Sequence, residues 1–219
     1  MTPAQSQVKQ SARFYPVDVV SDVNVISSLL AKDSLNNNDI ITISAVSCGA
    51  IRVAKLDSLP SNFDVLIKDN GYPDRQQLNS LSIEEFINFE EDWLRRFGAA
   101  DATVALLESS VAKSPQFPND INVGLFSEWI TVLERVSCDV RARKPSNSDA
   151  VAGDREKKYA ETLGMAVFGI AVIVVDGFVV VETGGLGTSV IGMASGGWGW
   201  NRVEEAFPII MELWESLFN

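Results

Sequence analysis

The 219-residue sequence contains no histidine. Ser-His-Asp triads, Cys-His pairs, zincin-type metal sites and histidine pH switches all require an imidazole, so these classes are excluded. An enzyme built on this chain would have to use carboxylates, lysine, tyrosine or a metal ion held by oxygen ligands. No complete catalytic or cofactor motif is present, so no catalytic residue is assigned, no cofactor is expected, and a non-enzymatic role is favoured.

Cysteine is also scarce, since Cys48 and Cys138 are the only two in the chain. Neither has a second cysteine or a histidine nearby, so a structural zinc site is excluded and no metal is expected. Met1 to Val20 contains no apolar run long enough for a signal peptide, which predicts a reducing cytoplasm. Both thiols are therefore expected to be free and to pack as small hydrophobic groups.

Positive charge is in the minority: 18 basic residues stand against 29 acidic ones, for a formal net charge of −11. This balance opposes binding to nucleic acid phosphates and to anionic membrane surfaces, so neither partner is expected. A basic protein would be attracted. Solubility alone is the simpler explanation of an acidic composition, and both explanations stay open at this point.

A single domain over residues 1–219 is the favoured organisation, because the length suits one large domain and the composition is ordinary for a globular protein. Residues 1–11 are polar and lack periodicity, which predicts a frayed terminus. Residues 141–158 combine alternating charges with Pro145 and Gly153, which predicts a flexible loop or linker.

Three short runs with period-two alternation predict strands: Ile40 to Val46, Ile51 to Leu56 and Phe63 to Lys68. Their short connections favour an antiparallel meander. Thr103 to Glu108 fits either a strand or a helical turn, and we favour a strand.

A short helix is predicted over Asp22 to Ala31, and Asn36-Asn37-Asn38 predicts a loop after it. Three further helices, all amphipathic, are predicted. The clearest is Ser82 to Phe97, which begins with a capping box between Ser82 and Glu85 and ends before Gly98. Leu125 to Val136 forms the second, and the third begins at Asn201. Together the patterns predict an α+β fold in which a mainly antiparallel sheet of about five or six strands is covered by three helices.

Residues 163–200 carry only two charges, Asp176 and Glu182. The uncharged stretch before Asp176 is too short to span a bilayer, and the stretch after Glu182 is too rich in glycine, so we reject a membrane segment. The Asp176-Gly177 pair between two β-branched runs is typical of a tight hairpin turn. It predicts a central hairpin over residues 168–182, buried on both faces.

The segment after this hairpin is a candidate ligand site, because exposed backbone amides in a glycine-rich loop can bind anions. Two tryptophans follow that could stack on a base, a sugar or a partner side chain. The match to phosphate loops is weak, since the Gly-Lys-Ser/Thr ending is missing, and close packing of the backbone and tryptophans is the alternative. The candidate residues are Gly184, Gly185, Gly187, Thr188, Ser189, Trp198 and Trp200.

The helix beginning at Ser82 offers a candidate partner surface, formed by Glu84, Glu91 and Asp92. A solvated face is the alternative explanation.

Three functions are considered. The first is an acidic, non-enzymatic protein that inhibits or sequesters a basic partner, as an immunity protein does; the second is an enzyme or binding domain for a nucleotide or phosphate ligand at residues 183–189. The third is a structural protein that forms a homo-oligomer through its apolar C-terminal third.

Overall fold

The structure, a computed structural model, describes residues 15–54, 80–113, 123–142, 149–175, 179–182, 188–191 and 197–218. These residues form a helical protein. The helices are α1 (Tyr15–Leu30), α2 (Asn37–Ala54), α3 (Ile83–Arg96), α4 (Asp101–Lys113), α5 (Val123–Ala142), α6 (Asp154–Val175) and α7 (Gly197–Phe218). Two short strands, β1 (Val179–Glu182) and β2 (Thr188–Ile191), lie between α6 and α7.

The predicted sheet-based α+β fold is wrong, and α2 shows one reason. This helix contains the predicted strand at residues 40–46 and most of the strand predicted to begin at Ile51. Its buried residues include Ile40, Ile43, Ser47 and Ile51, which recur at spacings of three and four. The isoleucines therefore lie on the buried face of a helix, and their local alternation does not indicate a strand. The third predicted strand, at residues 63–68, lies outside the described residues.

Residues 103–108 belong to α4, so the strand predicted there is also wrong. The buried side chains of this helix are Thr103, Val104, Leu107, Ser110 and Val111, which again follow helical spacing. A short apolar run gives the same periodicity in a strand and in a buried helical turn, and here the tertiary packing selects the helix.

The predicted central hairpin over residues 168–182 is wrong as well. Residues 168–175 form the last two turns of α6, and every one of them is buried. A helix surrounded by protein on all sides has the same continuous apolar run as a buried strand, which is why the sequence pattern misled. β1 pairs antiparallel with β2, from Val179 opposite Ile191 to Glu182 opposite Thr188. The predicted turn at residues 176–177 lies outside the described residues.

The three amphipathic helices are confirmed, and the short helix predicted over residues 22–31 lies in α1 except for its last residue. Ser82 caps α3, its side chain accepts from the Glu85 backbone N–H, and the Glu85 carboxylate accepts from the Ser82 backbone N–H. Gly98 follows the helix with a φ of 91°, which glycine adopts at little cost. α5 and α7 contain the other two amphipathic helices, but α7 begins at Gly197, four residues before its predicted start at Asn201. Residues 141–142 end α5 and residues 154–158 begin α6, so the segment predicted as a loop is partly helical.

α6 lies at the centre of the fold, in contact with α1, α2, α3 and α7. Gly164 lies against Ile26 and Leu30 of α1, where an added Cβ would come within 2.7 Å of a Leu30 methyl carbon. By length and hydropathy α6 could cross a membrane, and 78% of its most apolar window is buried inside the protein. Among the described residues, it is the helix on which α1, α2, α3 and α7 pack.

Cys48 of α2 and Cys138 of α5 form a disulfide, with their Cα atoms 5.2 Å apart. The prediction of two free thiols is therefore wrong. The two residues are 90 positions apart in sequence, and only the packing of α2 against α5 brings them together. A helical contact of this kind could not be read from the cysteine spacing.

Candidate functional site

A cavity of about 410 Å³ opens between α4, α6 and α7. We call it the Arg202 cavity. Its lining comprises Ser110, Glu161, Thr162, Met165, Arg202, Glu205, Ala206 and Ile209. Its volume lies in the range of pockets that hold one small molecule.

Each helix presents one face to the cavity. On α6, Glu161 and Met165 are four residues apart, and on α7 Arg202, Glu205 and Ile209 follow spacings of three and four. Residues at these spacings lie above one another on a helix. Ser110 adds a hydroxyl from α4. The site therefore combines residues that are far apart in the sequence.

Arg202 is the best-placed functional side chain in the cavity, with 4% of its side chain exposed. Its guanidinium carbon lies 5.4 Å from the centre of the Trp198 ring, and its Nη2 donates to Glu205 Oε1 at 3.0 Å. Its Nε is buried and has no hydrogen-bond partner among the described residues. Burial lowers the pKa of Arg202 and the Glu205 charge raises it, yet arginine stays protonated in proteins.

The position of Arg202 depends on Gly169 of α6. A Cβ at Gly169 would lie 2.8 Å from the Arg202 Cβ, so the missing side chain leaves the space in which the arginine stem packs. Trp198 supports the guanidinium from the other direction, as a cation–π partner. The charge is therefore held in one place by packing rather than by a flexible surface contact.

Hydroxyls and carboxylates complete the polar part of the cavity. Ser110 is 1% exposed, and its Oγ has no partner among the described residues. Thr162 Oγ1 donates to the Lys158 carbonyl at 2.7 Å. The side chains of Glu161 and Glu205 are 53% and 56% exposed and stand at the rim. The lining thus combines two buried polar side chains, Arg202 and Ser110, with two exposed carboxylates.

The two predicted ligand-stacking tryptophans are in the core. Trp198 is 1% exposed and packs edge-on against Phe168, with ring centroids 5.8 Å apart. Trp200 is 3% exposed and stacks on Trp129 at 5.1 Å. Other side chains thus occupy their ring faces, which matches the packing alternative raised from the sequence.

Only two of the other predicted ligand residues lie among the described residues. Gly184, Gly185 and Gly187 lie outside the described residues. Thr188 and Ser189 begin β2, where they pair with Glu182 and Val181 of β1. A ligand site at residues 183–189 stays a prediction.

The predicted partner residues lie on α3. Glu84 and Asp92 are exposed, whereas Glu91 Oε1 accepts from Arg95 Nε at 2.8 Å. Arg95 Nη2 also donates to Asp101 at 3.0 Å, and the bonds to Glu91 and Asp101 raise the pKa of Arg95. A positive charge therefore stands beside this acidic surface and weakens its field.

A second acidic surface, on α7, was not predicted from the sequence. Its residues, which we call the α7 acidic face, are Glu204, Glu205, Glu212 and Glu215. All four are exposed, and at 100° per residue they fall within an arc of about 100° around the helix. The only basic residue of α7 is Arg202, which is buried.

One sequence signal could have pointed to this region. Arg202 is the only basic residue after Lys158, and it is followed closely by acidic residues. A single cation in a long apolar and acidic segment needs a partner if it is buried. The signal alone could not have placed Ser110 in the same cavity, because that placement depends on the packing of α4.

Within the described ranges, no group of three or more acidic or cysteine side chains is arranged to hold a metal ion. No protein-family model, curated protein or solved structure matches this chain.

Proposed function

We propose that this protein is a non-enzymatic binding protein that holds a basic partner protein on the α7 acidic face and thereby inhibits or sequesters it. The observation that carries the proposal is the arrangement of four exposed glutamates on one side of α7, whose only basic residue, Arg202, is buried. Arg202 pairs with Glu205 at 3.0 Å, so the field of this face comes mainly from Glu204, Glu212 and Glu215, which attract a basic protein.

The charge of the whole chain adds to this local effect. A formal net charge of −11 creates a negative potential that speeds the approach of a basic partner, most strongly at low ionic strength. The α3 surface offers a weaker local field, because Arg95 bridges Glu91 and Asp101. We therefore assign α7 as the main contact and the predicted residues Glu84, Glu91 and Asp92 of α3 as a secondary one.

The proposal is tested by affinity capture from the native host, followed by mass spectrometry, with two matched variants. Glu212→Lys/Glu215→Lys reverses charge on α7, and Glu84→Lys/Asp92→Lys makes the same change in net charge on α3. We expect the wild type to retain a basic protein, with retention falling steeply as salt rises. The α7 variant should lose most of that protein, and the α3 variant should keep most of it.

Two results would reject the proposal. One is equal loss in the α7 and α3 variants, since that would show a response to net charge without a defined surface. The other is retention of no basic protein by the wild type at low salt. Circular dichroism of both variants establishes that the helices are intact.

The other sequence-based functions stay predictions, because no contact among the described residues favours them. A nucleotide or phosphate site at residues 183–189 predicts thermal stabilisation by such compounds. A homo-oligomer predicts a solution mass above that of one chain. The expected absence of a cofactor, of nucleic acid binding and of membrane binding, and the expected cytoplasmic location, likewise stay predictions.

A further inference from the structure

We infer that the Arg202 cavity receives an aliphatic side chain of the basic partner, such as a leucine, whose neighbouring lysines contact the carboxylates beside the cavity. This inference rests on the proposed function and deepens it, because it names the segment of the partner that is recognised. It is carried by the apolar part of the cavity lining, by the exposed carboxylates near that part, and by the position of the cavity next to the α7 acidic face.

The Arg202 cavity adjoins the α7 acidic face along one side of α7. Glu205 belongs to both, since it lines the cavity and is also one of the four exposed glutamates. Ile209 of the lining follows Glu205 by four residues and precedes Glu212 by three, so the three side chains are neighbours on the helix surface. A protein bound across Glu205 and Glu212 therefore also covers Ile209.

The lining offers apolar surface that a partner can reach. Met165 of α6 and Ile209 of α7 are only partly buried, and Ala206 extends the apolar surface between them. The volume of about 410 Å³ is ample for one aliphatic side chain. At protein interfaces, a side chain anchored in such a pocket often contributes much of the binding energy. A methionine in the wall also adapts its shape to what it contacts.

Carboxylates stand on both the α6 and the α7 side of this apolar surface. Glu161 of α6 is 53% exposed, and its only ion-pair partner among the described residues is Lys157, at 3.9 Å. Exposed pairs of this kind contribute little, so a lysine of the partner can replace Lys157. On α7, Glu212 is exposed one turn after Ile209. Basic residues on either side of an aliphatic anchor would therefore meet opposite charge.

The positive charge of Arg202 is compatible with this arrangement. Its Nη2 donates to Glu205 Oε1 at 3.0 Å, and its guanidinium lies over the Trp198 ring. Only 4% of the Arg202 side chain is exposed, so it presents almost no charged surface to an incoming group. An aliphatic side chain contacts the apolar walls and needs no hydrogen bond, whereas a phosphate would stand near Glu161 and be repelled.

The experiment measures the fluorescence anisotropy of dye-labelled peptides with the full chain at low salt. The probe is Lys-Lys-Ala-Lys-Leu-Lys-Ala-Lys-Lys, and the reference peptide carries alanine in place of the leucine. Both peptides have the same charge, so the ratio of their Kd values isolates the aliphatic side chain. We expect the leucine peptide to bind about tenfold more tightly, because it buries additional methyl and methylene groups. Equal affinities, or no binding of either peptide, would overturn the inference.

Substitutions in the cavity wall then locate the binding site of the leucine. Met165→Gln makes the wall polar at nearly unchanged side-chain length, and should reduce the preference for leucine to less than about threefold. Met211→Gln is the matched control and should keep the preference. Met211 is also partly buried against the core, but it lies outside the lining, nine positions after Arg202 and therefore on the opposite side of α7.

Ile209→Gln provides a second variant of the same wall, and circular dichroism establishes that each variant is folded. An unchanged preference for leucine in a folded Met165→Gln or Ile209→Gln protein would reject the cavity as the site.

The contact between the lysines and Glu161 has its own test. Glu161→Gln should weaken binding of the leucine peptide severalfold, because it removes a carboxylate beside the anchor. Glu128→Gln makes the same change in net charge at an exposed residue of α5 outside the lining, and should have a smaller effect. Equal weakening by both substitutions would show that the peptide responds to net charge alone.

Failure of this inference is distinguishable from failure of the proposed function. In affinity capture from the native host, Met165→Gln should retain much less of the basic protein than Met211→Gln does. The proposed function fails if the wild type retains no basic protein. The inference alone fails if Glu212→Lys/Glu215→Lys loses that protein while Met165→Gln retains as much of it as Met211→Gln.

Discussion

The backbones of Gly169 on α6 and Gly199 on α7 are in direct contact. A Cβ built on either residue would lie 2.5 Å from the carbonyl oxygen of the other. This contact sets the distance between the two helices, and Arg202 enters the cavity one turn further along α7. Both residues lie within helices, where the backbone conformation would allow any residue. Glycine is required here only because a side chain would prevent the two backbones from approaching so closely.

Gly169→Ala should therefore destabilise the protein despite the higher helix propensity of alanine. Overpacking at such a contact costs about 1–3 kcal/mol. Gly49→Ala on α2 is the matched control, because the nearest atom to its new Cβ is 3.7 Å away. The control should gain up to about 1 kcal/mol. Urea unfolding measures both changes, and equal stability of the two variants would contradict the predicted contact.

Two fully buried tryptophans differ in one respect. Trp93 Nε1 donates to the Val175 carbonyl at 2.9 Å, at the C-terminal end of α6, whereas Trp198 Nε1 has no partner among the described residues. Trp93→Phe should thus cost about 1–3 kcal/mol more than Trp198→Phe, because it leaves a buried carbonyl unpaired. Chemical denaturation of both variants tests the difference. A larger loss for Trp198→Phe would refute the assignment.

Reduction of the Cys48–Cys138 disulfide should destabilise the folded state. The bond closes a loop of about 90 residues, and cross-links of this length contribute about 2–5 kcal/mol, largely by restricting the unfolded chain. The unfolding midpoint should fall when a reductant is added, and Cys48→Ala/Cys138→Ala should be insensitive to it. Detection of two free thiols in the folded, unreduced protein would show that the bond is absent.

Asp39 makes stability depend on pH at the start of α2. Burial raises the pKa of this carboxyl, but hydrogen bonds from Lys32 Nζ and the Asn36 backbone N–H, with the Lys32 charge, outweigh burial and hold it below 3.8. A lowered pKa stabilises the fold above the unfolded pKa, and this contribution is lost as pH falls through the folded pKa.

The corresponding variant is Asp39→Asn. It should be less stable than the wild type at neutral pH, and the difference should shrink to a constant remainder once the pH falls well below 3.8. Unfolding free energies measured from pH 7 down to the acid limit test this. A difference that is independent of pH would show that the charge on Asp39 contributes nothing.

The helix that the sequence predicts best is α3. α3 carries a capping box and a clear apolar face, so its bounds were found within one residue. The sequence predicts strands in α2 and α4 because their short apolar runs fit both a strand and a helix, and in α6 because residues 166–175 are buried without a break. One signal was overlooked: Asn36 and Asp39 cap α2 reciprocally, through bonds of 2.8 and 3.0 Å. A run of three asparagines was interpreted as a loop instead.

Sequence patterns could not predict which residues line the Arg202 cavity. Ser110, Glu161 and Arg202 share no motif and meet only because α4, α6 and α7 pack around one cavity. Trp198, predicted to stack on a ligand, instead supports the arginine from within the core. Acidity and the lack of histidine could be read directly, since composition needs no tertiary structure.

The central position of α6 also affects the order in which the protein can fold during synthesis. Helices α1, α2 and α3 contact α6, yet α6 begins only at Asp154. The ribosome adds residues at about 5–20 per second. Until α6 has been synthesised, the faces of α1, α2 and α3 that pack against it stay exposed to solvent. The N-terminal part of the nascent chain is therefore expected to need protection from aggregation until α6 emerges and supplies its core.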